Sequence, residues 1–526
     1  MLLVRAILYF CCIASLLFRI GTQVYTEQDK WCIAILSFLL MLIFIFVWKI
    51  NNPGIELYTR IIPTYYNATS LGIILSSLYG ISQYFSLIDT YSGFAVTGNF
   101  DNPGAYAAAL TAGYPICLFM GKTTLSKNHK YFYFITSTSA LIAIILSGSR
   151  SGIAGILIAI VLFIIINYRY KIRNKHILLL LIIGGTIGII LYLLKKDSAD
   201  GRLLIWRCAW EMFKDKPFFG FGHEGFWANY MTYQADYFSK HPDSSFVMLA
   251  DNTFRPFNEY IALLVNYGIV GFTVFVSIIC ILYKLYNRNR RLETNIAITC
   301  LSSIGVYAFF SYPLSTPFVW LVIVFSIYTL FSFANLSLNL NVKVRKVSQV
   351  FMICFTALLL VFSGKEIIVL YKWSSIKVYP VESDKFALTV IQYEKLYPIL
   401  QDDYTFLYNY ANILNAFGLN QKSLKIALEG RPMCADYDME ILIGDNYIKT
   451  RKYNEAEKHF ILASNMCPAR FVPLYALFKI YQTVGKADKA NMIAHEIADK
   501  PIKVYSPRVV MIKDEISKYL FENVTE

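Results

Sequence analysis

The first 371 residues alternate between long apolar runs and short polar ones, and beyond them the alternation ends. A bilayer core about 30 Å thick needs roughly 20 apolar residues of helix to cross it. Eleven stretches meet that demand, near 3–20, 31–49, 68–88, 104–120, 132–148, 152–168, 177–194, 259–285, 295–312, 316–334 and 349–371. The pattern predicts an all-α protein, a polytopic membrane helical bundle of about eleven spans. The fourth span carries Pro115. The first, "LLVRAILYFCCIASLLF", has only Arg5 as a charged flank and no small-x-small cleavage site, so it reads as a retained helix rather than a signal peptide.

Four segments follow from this pattern. They are an N-terminal bundle of seven helices over 1–194, a large polar loop over 195–258, four more helices over 259–371 and a polar tail over 372–526. The tail repeats itself. "NAFGLNQKSLKIALEGRPMC", "IKTRKYNEAEKHFILASNMC" and "QTVGKADKANMIAHEIADKP" align at intervals of 33–34 residues, with Gly418, Arg451 and Gly485 in one column and Ser423, Ala456 and Ala490 in another. That is the period of tetratricopeptide helix pairs, in which small residues let paired helices approach closely. Such a domain serves either as a cap over one face of the bundle or as a platform for a protein or peptide, and the sequence weighs these evenly.

Composition agrees: 56% of residues are hydrophobic, 16% aromatic and 16% charged. The net charge of +14 resembles a nucleic-acid signal until its placement is read. Basic residues gather in "GKTTLSKNHK", "RYKIRNKH", "KLYNRNRRLE" and "NVKVRKVS", the loops after spans four, six, eight and ten. The intervening loops "GTQVYTEQDK" and "DTYSGFAVTGNFDNPG" are neutral to acidic. This positive-inside pattern puts the N-terminus in the cytoplasm and both the 195–258 loop and the tail on the outer side. The expected partners of the charge are lipid headgroups, not nucleic acid. Most of the ten cysteines lie in spans, where they act as small hydrophobes. Cys434 and Cys467 hold matching repeat positions, about 10 Å apart on stacked helices and beyond disulfide reach. The six histidines show no metal-ligand spacing, so no metal is expected.

Four stretches at the outer surface carry chemistry. "TGNFDNPGAYAAAL" contains a turn that delivers the start of span four. "LSGSRSGIAGI" joins two helices almost without a loop, and Arg150 at that junction, beside a helix N-terminus, makes an anion site or else a snorkelling anchor. "GRLLIWRCAWEMFKDKPFFGFGHEGF" reads as an amphipathic helix whose stripe of Ile205, Trp206, Ala209, Trp210 and Phe213 lies on the membrane, flanked by Arg202 and Arg207. It stops at Lys216–Pro217, and Gly220 and Gly222 permit a tight turn. "RPFNEYIALLVNYGIVG" opens with Arg255, Asn258 and Glu259 at a helix start. A polar helix cap is ordinary; arginines and a carboxylate gathered on one side of one membrane are not.

In this order the stretches resemble the O-antigen ligase/polymerase superfamily of bacterial membrane glycosyltransferases. That superfamily carries a "GxFxNPN" turn, an "SR" helix junction, an "R…W…P…GxGxxxF" outer loop and a closing "HNEYL…GxxG". The resemblance covers roughly residues 90–275. It implies a GT-C-type fold in the bacterial inner membrane, with the loop and tail in the periplasm. It also implies a metal-independent, cofactor-free transfer of a glycan from an undecaprenyl (polyprenyl) diphosphate carrier, itself a substrate, to an acceptor. Arg150 and Arg202 would then grip the diphosphate, with Arg207, Arg255, Asn258 and Asn102 lining the substrate. A bidentate guanidinium suits that task. Where the family commonly has a histidine base, this chain has Phe257. Glu259 is the first candidate in its place, then His241, with His223 a further one.

Members differ in acceptor: lipid A-core for a ligase, another carrier-linked repeat for a polymerase, Ser/Thr of a protein for an O-oligosaccharyltransferase. The repeat tail favours the protein acceptor. A transporter is a rival reading, but it calls for charged or broken helices at the bilayer midplane, and these spans are almost free of charge. A structural scaffold is another, separable by whether Arg150→Ala and Arg202→Ala leave function intact.

Overall fold

A computed structural model of the chain describes residues 2–17, 53–90, 93–168, 185–186, 192–193, 196–333, 342–376, 378–379, 381, 383 and 385–525. Among them the regular structure is helical, without a strand. Contacts divide the chain into two compact units. The first comprises Met1–Leu194, Phe257–Tyr260 and Thr273–Ser374, and the second Lys195–Pro256, Ile261–Phe272 and Ser375–Glu526. The loop expected over 195–258 and the polar tail thus share the second unit.

The helices of the first unit are α1 (Leu2–Leu17), α2 (Pro53–Tyr84), α3 (Pro103–Thr123), α4 (Lys127–Leu146) and α5 (Arg150–Tyr168). Five described helices have the length and apolarity to cross a membrane: α3, α4, α5, Glu259–Arg288 and Leu292–Phe310. Arg5–Leu17 and Pro317–Phe333 are apolar but shorter. The expected span near 349–371 falls within Val342–Ser374, and the one near 68–88 overlaps Pro53–Tyr84, which ends four residues earlier. The span near 31–49 and most of the one near 177–194 lie outside the described residues.

Pro115 sits inside α3 without ending it, and α3 is the most deeply buried of the five. Its run "AYAAALTAGYP" explains both. Small side chains bring neighbouring helices close, as in membrane packing generally, and α3 is covered from Tyr106 to Cys117. Tyr106, fully buried, donates its hydroxyl to the Ser76 carbonyl at 3.0 Å, so its polar end is satisfied. A Cβ on Gly155 of α5 would stand 3.2 Å from the Ser303 carbonyl, a close approach that Ser303 Oγ secures by donating to the Gly155 carbonyl at 2.6 Å.

The second unit begins with α6 (Lys196–Asp215) and α7 (Gly225–Lys240). α6 ends just before Lys216–Pro217, where the sequence stops it. Its stripe is divided, and this corrects the expected membrane-facing strip. Ile205 and Ala209 are buried in protein with Leu204, Cys208 and Met212, while Trp210 stays 56% exposed. The cause is angular: residues at 204, 205, 208, 209 and 212 follow the i, i+4 repeat of one helical face, which packs on α7.

Helix α8 (Glu259–Arg288) supplies a second correction: it is not the continuous span expected over 259–285. It breaks at Gly268, at φ +63° and ψ −163°, a region for glycine alone. The stretch from Ile269 to Arg288 keeps the length a crossing needs. The broken turn is mended by the loop after α6. Phe221 and Gly222 N–H donate to the carbonyls of Val265 and Asn266 at 2.9 and 2.8 Å, and Ile269 N–H donates to the Pro217 carbonyl at 2.8 Å. Asn266 Oδ1 also accepts from Phe226 N–H at 2.9 Å, at the start of α7.

Beyond α9 (Leu292–Phe310) come a 3-10 turn at Pro313–Ser315, α10 (Pro317–Phe333) and α11 (Val342–Ser374). The tail contains α12 (Phe386–Leu400), then the pairs α13/α14 (Tyr404–Ala416, Asn420–Gly430), α15/α16 (Tyr437–Lys449, Tyr453–Met466) and α17/α18 (Val472–Thr483, Ala487–Asp499), and α19 (Pro507–Thr525). Both repeat columns have structural meaning. Gly418, Arg451 and Gly485 all turn the chain with positive φ between paired helices, at 82°, 60° and 72°. Ser423, Ala456 and Ala490 are buried where the helices meet. Cys434 and Cys467 are buried free thiols.

Candidate functional site

In the first unit three of the four sequence stretches converge on the segment 303–315. Asn102 caps α3, its Oδ1 accepting from Ala105 N–H at 2.8 Å. Tyr307 of α9 donates to the Gly104 carbonyl at 2.5 Å and lies 3.4 Å from Ser149 Oγ. Ser149 in turn accepts from Gly152 N–H at 3.3 Å, capping the helix that Arg150 begins. One amide of that N-terminus is therefore already occupied, and the half-buried Arg150 carries the positive charge of the junction.

Glu259 and Tyr260 reach the same segment, Tyr260 by donating its hydroxyl to the Gly305 carbonyl at 2.8 Å. Buried Asn258 accepts from Tyr260 N–H through Oδ1 at 2.9 Å, and Glu259 Oε1 accepts from Leu314 N–H in the 3-10 turn at 3.2 Å. Trp320 Nε1 donates to the Leu314 carbonyl at 2.6 Å, so the turn is held on both sides. Phe257 stands in the left-handed region at φ +53°, its ring 5.4 Å from Tyr312. For a bulky residue that backbone costs about 1–2 kcal/mol, and it falls beside the Asn258–Glu259 pair. Strain of this kind concentrates at functional sites. Glu259 emerges as an oriented carboxylate, one oxygen held by a backbone amide.

In the second unit Arg207 and His241 share one ring. The Arg207 guanidinium lies 5.0 Å from the centroid of Tyr237, and the His241 imidazole 4.9 Å from it. His241 ends α7 and is exposed. Arg202 is half-buried on the same helix as Arg207, and Trp206 between them donates Nε1 to the Pro256 carbonyl at 2.9 Å. That bond ties the arginine helix to the residue after Arg255. His223 is not brought to His241. Its Nδ1 lies 3.2 Å from the Tyr267 hydroxyl, beside the helix break.

Sequence reasoning missed Tyr307, the turn "SYPLSTPF" and the break at Gly268. Pro313 and Pro317, four residues apart between two apolar runs, were the available signal of the turn. Tyr307 has no such flag: a tyrosine in an apolar helix reads as core.

No curated protein matches the chain. Residues 135–276 match the family model described as O-Antigen ligase. That segment runs from α4 through Arg150, the arginines of α6 and the Asn258–Glu259 pair to the helix break, and over it the chain is similar to O-antigen ligases.

Proposed function

We propose that the protein is a membrane glycosyltransferase that takes a glycan from a polyprenyl diphosphate carrier and joins it to an acceptor on the periplasmic face of the bacterial inner membrane. The observation that carries this reading is Glu259, which lies in the family-matched segment beside buried Asn258 and is held by the Leu314 N–H of the 3-10 turn. In the reaction the acceptor oxygen forms a bond to the anomeric carbon while the bond from that carbon to the diphosphate oxygen breaks. Polyprenyl diphosphate leaves, and the acceptor proton passes to a base.

Diphosphate is a good leaving group and needs no strong general acid. It needs fixed positive charge as it departs, which Arg150 and Arg202 supply in this reading, with Arg207 and Arg255 as further contacts. The charge these guanidinium groups carry makes a metal ion unnecessary. Glu259 is the base of first choice because its carboxylate is oriented, with His241 the alternative. Asn102 serves substrate through the turn it caps.

Three acceptors are open, one of them another carrier-linked repeat, as for a polymerase. A ligase acting on lipid A-core needs nothing from the tail. The protein O-oligosaccharyltransferase reading draws support from the helix pairs of the tail, of tetratricopeptide-like type and able to hold a peptide. The deciding experiment compares a deletion strain with its parent by intact mass of periplasmic proteins and by lipopolysaccharide profile. Loss of a whole glycan from several proteins, with lipopolysaccharide unchanged, establishes the protein acceptor. Lipopolysaccharide without its long chains, and unchanged proteins, establishes the ligase if the core is bare and the polymerase if it carries a single repeat. Parent and deletion strain alike in every carrier-derived glycan contradicts all three.

A further inference from the structure

Part of the tail surface is already occupied, and the occupant is the protein's own loop. Gln234 of α7 is 1% exposed, and its amide is fully used. Nε2 donates to the carbonyls of Met466, at the end of α16, and of Asp251, at 2.6 and 3.1 Å, while Oε1 accepts from the buried Tyr230 hydroxyl at 2.7 Å. A buried amide satisfied on every side fixes all the groups it touches. Residues 250–252 are then held by three places in the tail. Asp251 Oδ1 meets Arg470 Nη2 at 2.6 Å, Lys503 Nζ donates to the Ala250 carbonyl at 3.1 Å, and Asn252 Nδ2 donates to Asp436 and Asp438 at 3.3 and 3.2 Å. Arg470 also lies 4.5 Å over the Tyr437 ring, which limits its swing.

These anchors end three residues before Arg255. On the other side Trp206 holds the Pro256 carbonyl. Arg255 is thus delivered by a strap pinned at both ends, one end to the tail and the other to the arginine helix. An ion pair as exposed as Asp251–Arg470 contributes only about 0.2–1 kcal/mol to global stability, so stability alone does not account for this concentration of contacts on three residues.

We infer that the helical tail is a positioning element for transfer: through Arg470, Asp251 and Gln234 it sets the place of Arg255 in the outer loop. The inference rests on the proposed glycan transfer, and it gives the tail a role whichever acceptor is used. Removing the tail would then uncover Gln234 and release the loop, so truncation cannot separate donor use from acceptor use.

The test uses the full chain in nanodiscs, with Arg470→Gln, Asp251→Asn, the double variant and the conservative Arg470→Lys. Hydrogen exchange of residues 250–256 and transfer kinetics per folded molecule are both read. Each single variant is expected to raise exchange in 250–256 about three- to fivefold and to lower kcat about fivefold at little-changed KM. The double variant is expected to be no worse than either single, and Arg470→Lys to restore much of both. A purely structural role would reduce the folded yield and leave kcat per folded molecule intact. Unchanged exchange, or raised exchange with intact kcat, overturns the inference. If the unmodified protein transfers no carrier-linked glycan, the proposed function fails instead, and the exchange readout alone decides whether the tail holds the strap.

Discussion

The two units join their helices by different chemistry. In the first, the joints between packed helices are neutral hydrogen bonds, Tyr307 to the Gly104 carbonyl at 2.5 Å and Ser303 to the Gly155 carbonyl at 2.6 Å, and Glu259 at the Leu314 amide is the charged exception. The second adds charged joints to neutral ones such as Gln234 to the Met466 carbonyl. Arg470 meets Asp251 at 2.6 Å, and buried Glu440 takes Arg431 Nε at 2.6 Å and His459 Nδ1 at 2.5 Å. The reason is the surroundings. An unpaired charge among apolar helices costs several kcal/mol, whereas a neutral donor returns its cost once it finds a carbonyl. Charge is therefore confined to the ends of the first unit's spans. Arg150 and Glu259 both begin such helices, which is why the reaction is sought there.

The comparison can be broken or sharpened by substitution. The largest effect is expected from Arg202→Ala, on the arginine helix of the second unit. Transfer should fall by about a hundredfold or more, the scale of losing one preorganised charge partner, with helical content and membrane level unchanged. Normal glycan products from that variant would remove Arg202 from the diphosphate.

Next comes Gly268→Ala. A Cβ there would stand 2.2 Å from the Phe218 carbonyl oxygen, in a backbone region that glycine alone occupies. A loss of about 3 kcal/mol is expected, seen as lost exchange protection at 221–222 and a lower thermal midpoint. A variant as stable as the parent would mean that the loop and the helix break do not depend on one another.

Tyr307→Phe probes the neutral chemistry of the first unit. It removes a hydroxyl and leaves the Gly104 carbonyl without that donor, a cost of about 1–3 kcal/mol. Thermal unfolding in detergent checks this, and a loss smaller than that of Arg470→Gln would reverse the comparison. Arg451→Gly in the tail tests strain alone. Arg451 stands at φ +60° where its repeat counterparts are glycine. Relief of a left-handed side chain, offset by glycine's entropy, should stabilise the tail by less than about 1 kcal/mol.

The smallest effect is a pH dependence. Burial alone would raise the Asp251 carboxyl, but the Arg470 hydrogen bond, the Asn252 N–H and the charges of Arg470 and Lys503 bring it below its ordinary value of 3.8. A depressed carboxylate contributes stability above its unfolded pKa and loses it as pH falls through the folded one. Exchange at 250–256 should therefore rise only below about pH 4, and Arg470→Gln should flatten that rise.

Some of this was legible in the sequence and some was not. The repeat columns were, because each position answers to a local demand: a positive φ at 418, 451 and 485, and a small side chain at 423, 456 and 490. The end of α6 at Pro217 was, since proline dictates it. The break at Gly268 was hidden because its hydrogen-bond partners, Pro217, Phe221 and Gly222, come from a separate loop, and an apolar run looks the same whether or not it is interrupted. The divided face of α6 was hidden for a related reason: periodicity reports an apolar face, not whether protein or lipid covers it. Of the candidate site, the residues at 102, 150 and 258–259 were found by motif, but the Tyr307 hydroxyl and the Leu314 amide that gather them are unmarked in sequence. The contacts of the strap at 250–253 join residues some two hundred positions apart, beyond any local pattern.

The central claim is transfer from a lipid diphosphate, and reconstitution tests it most directly. Purified full-length protein in liposomes would be given a polyprenyl diphosphate-linked glycan together with lipid A-core or periplasmic protein, and the released carrier would be counted against glycosylated acceptor. The account predicts equal amounts of the two products, both lost in Glu259→Gln or in Arg202→Ala. Folded protein that releases no carrier with either acceptor would contradict it.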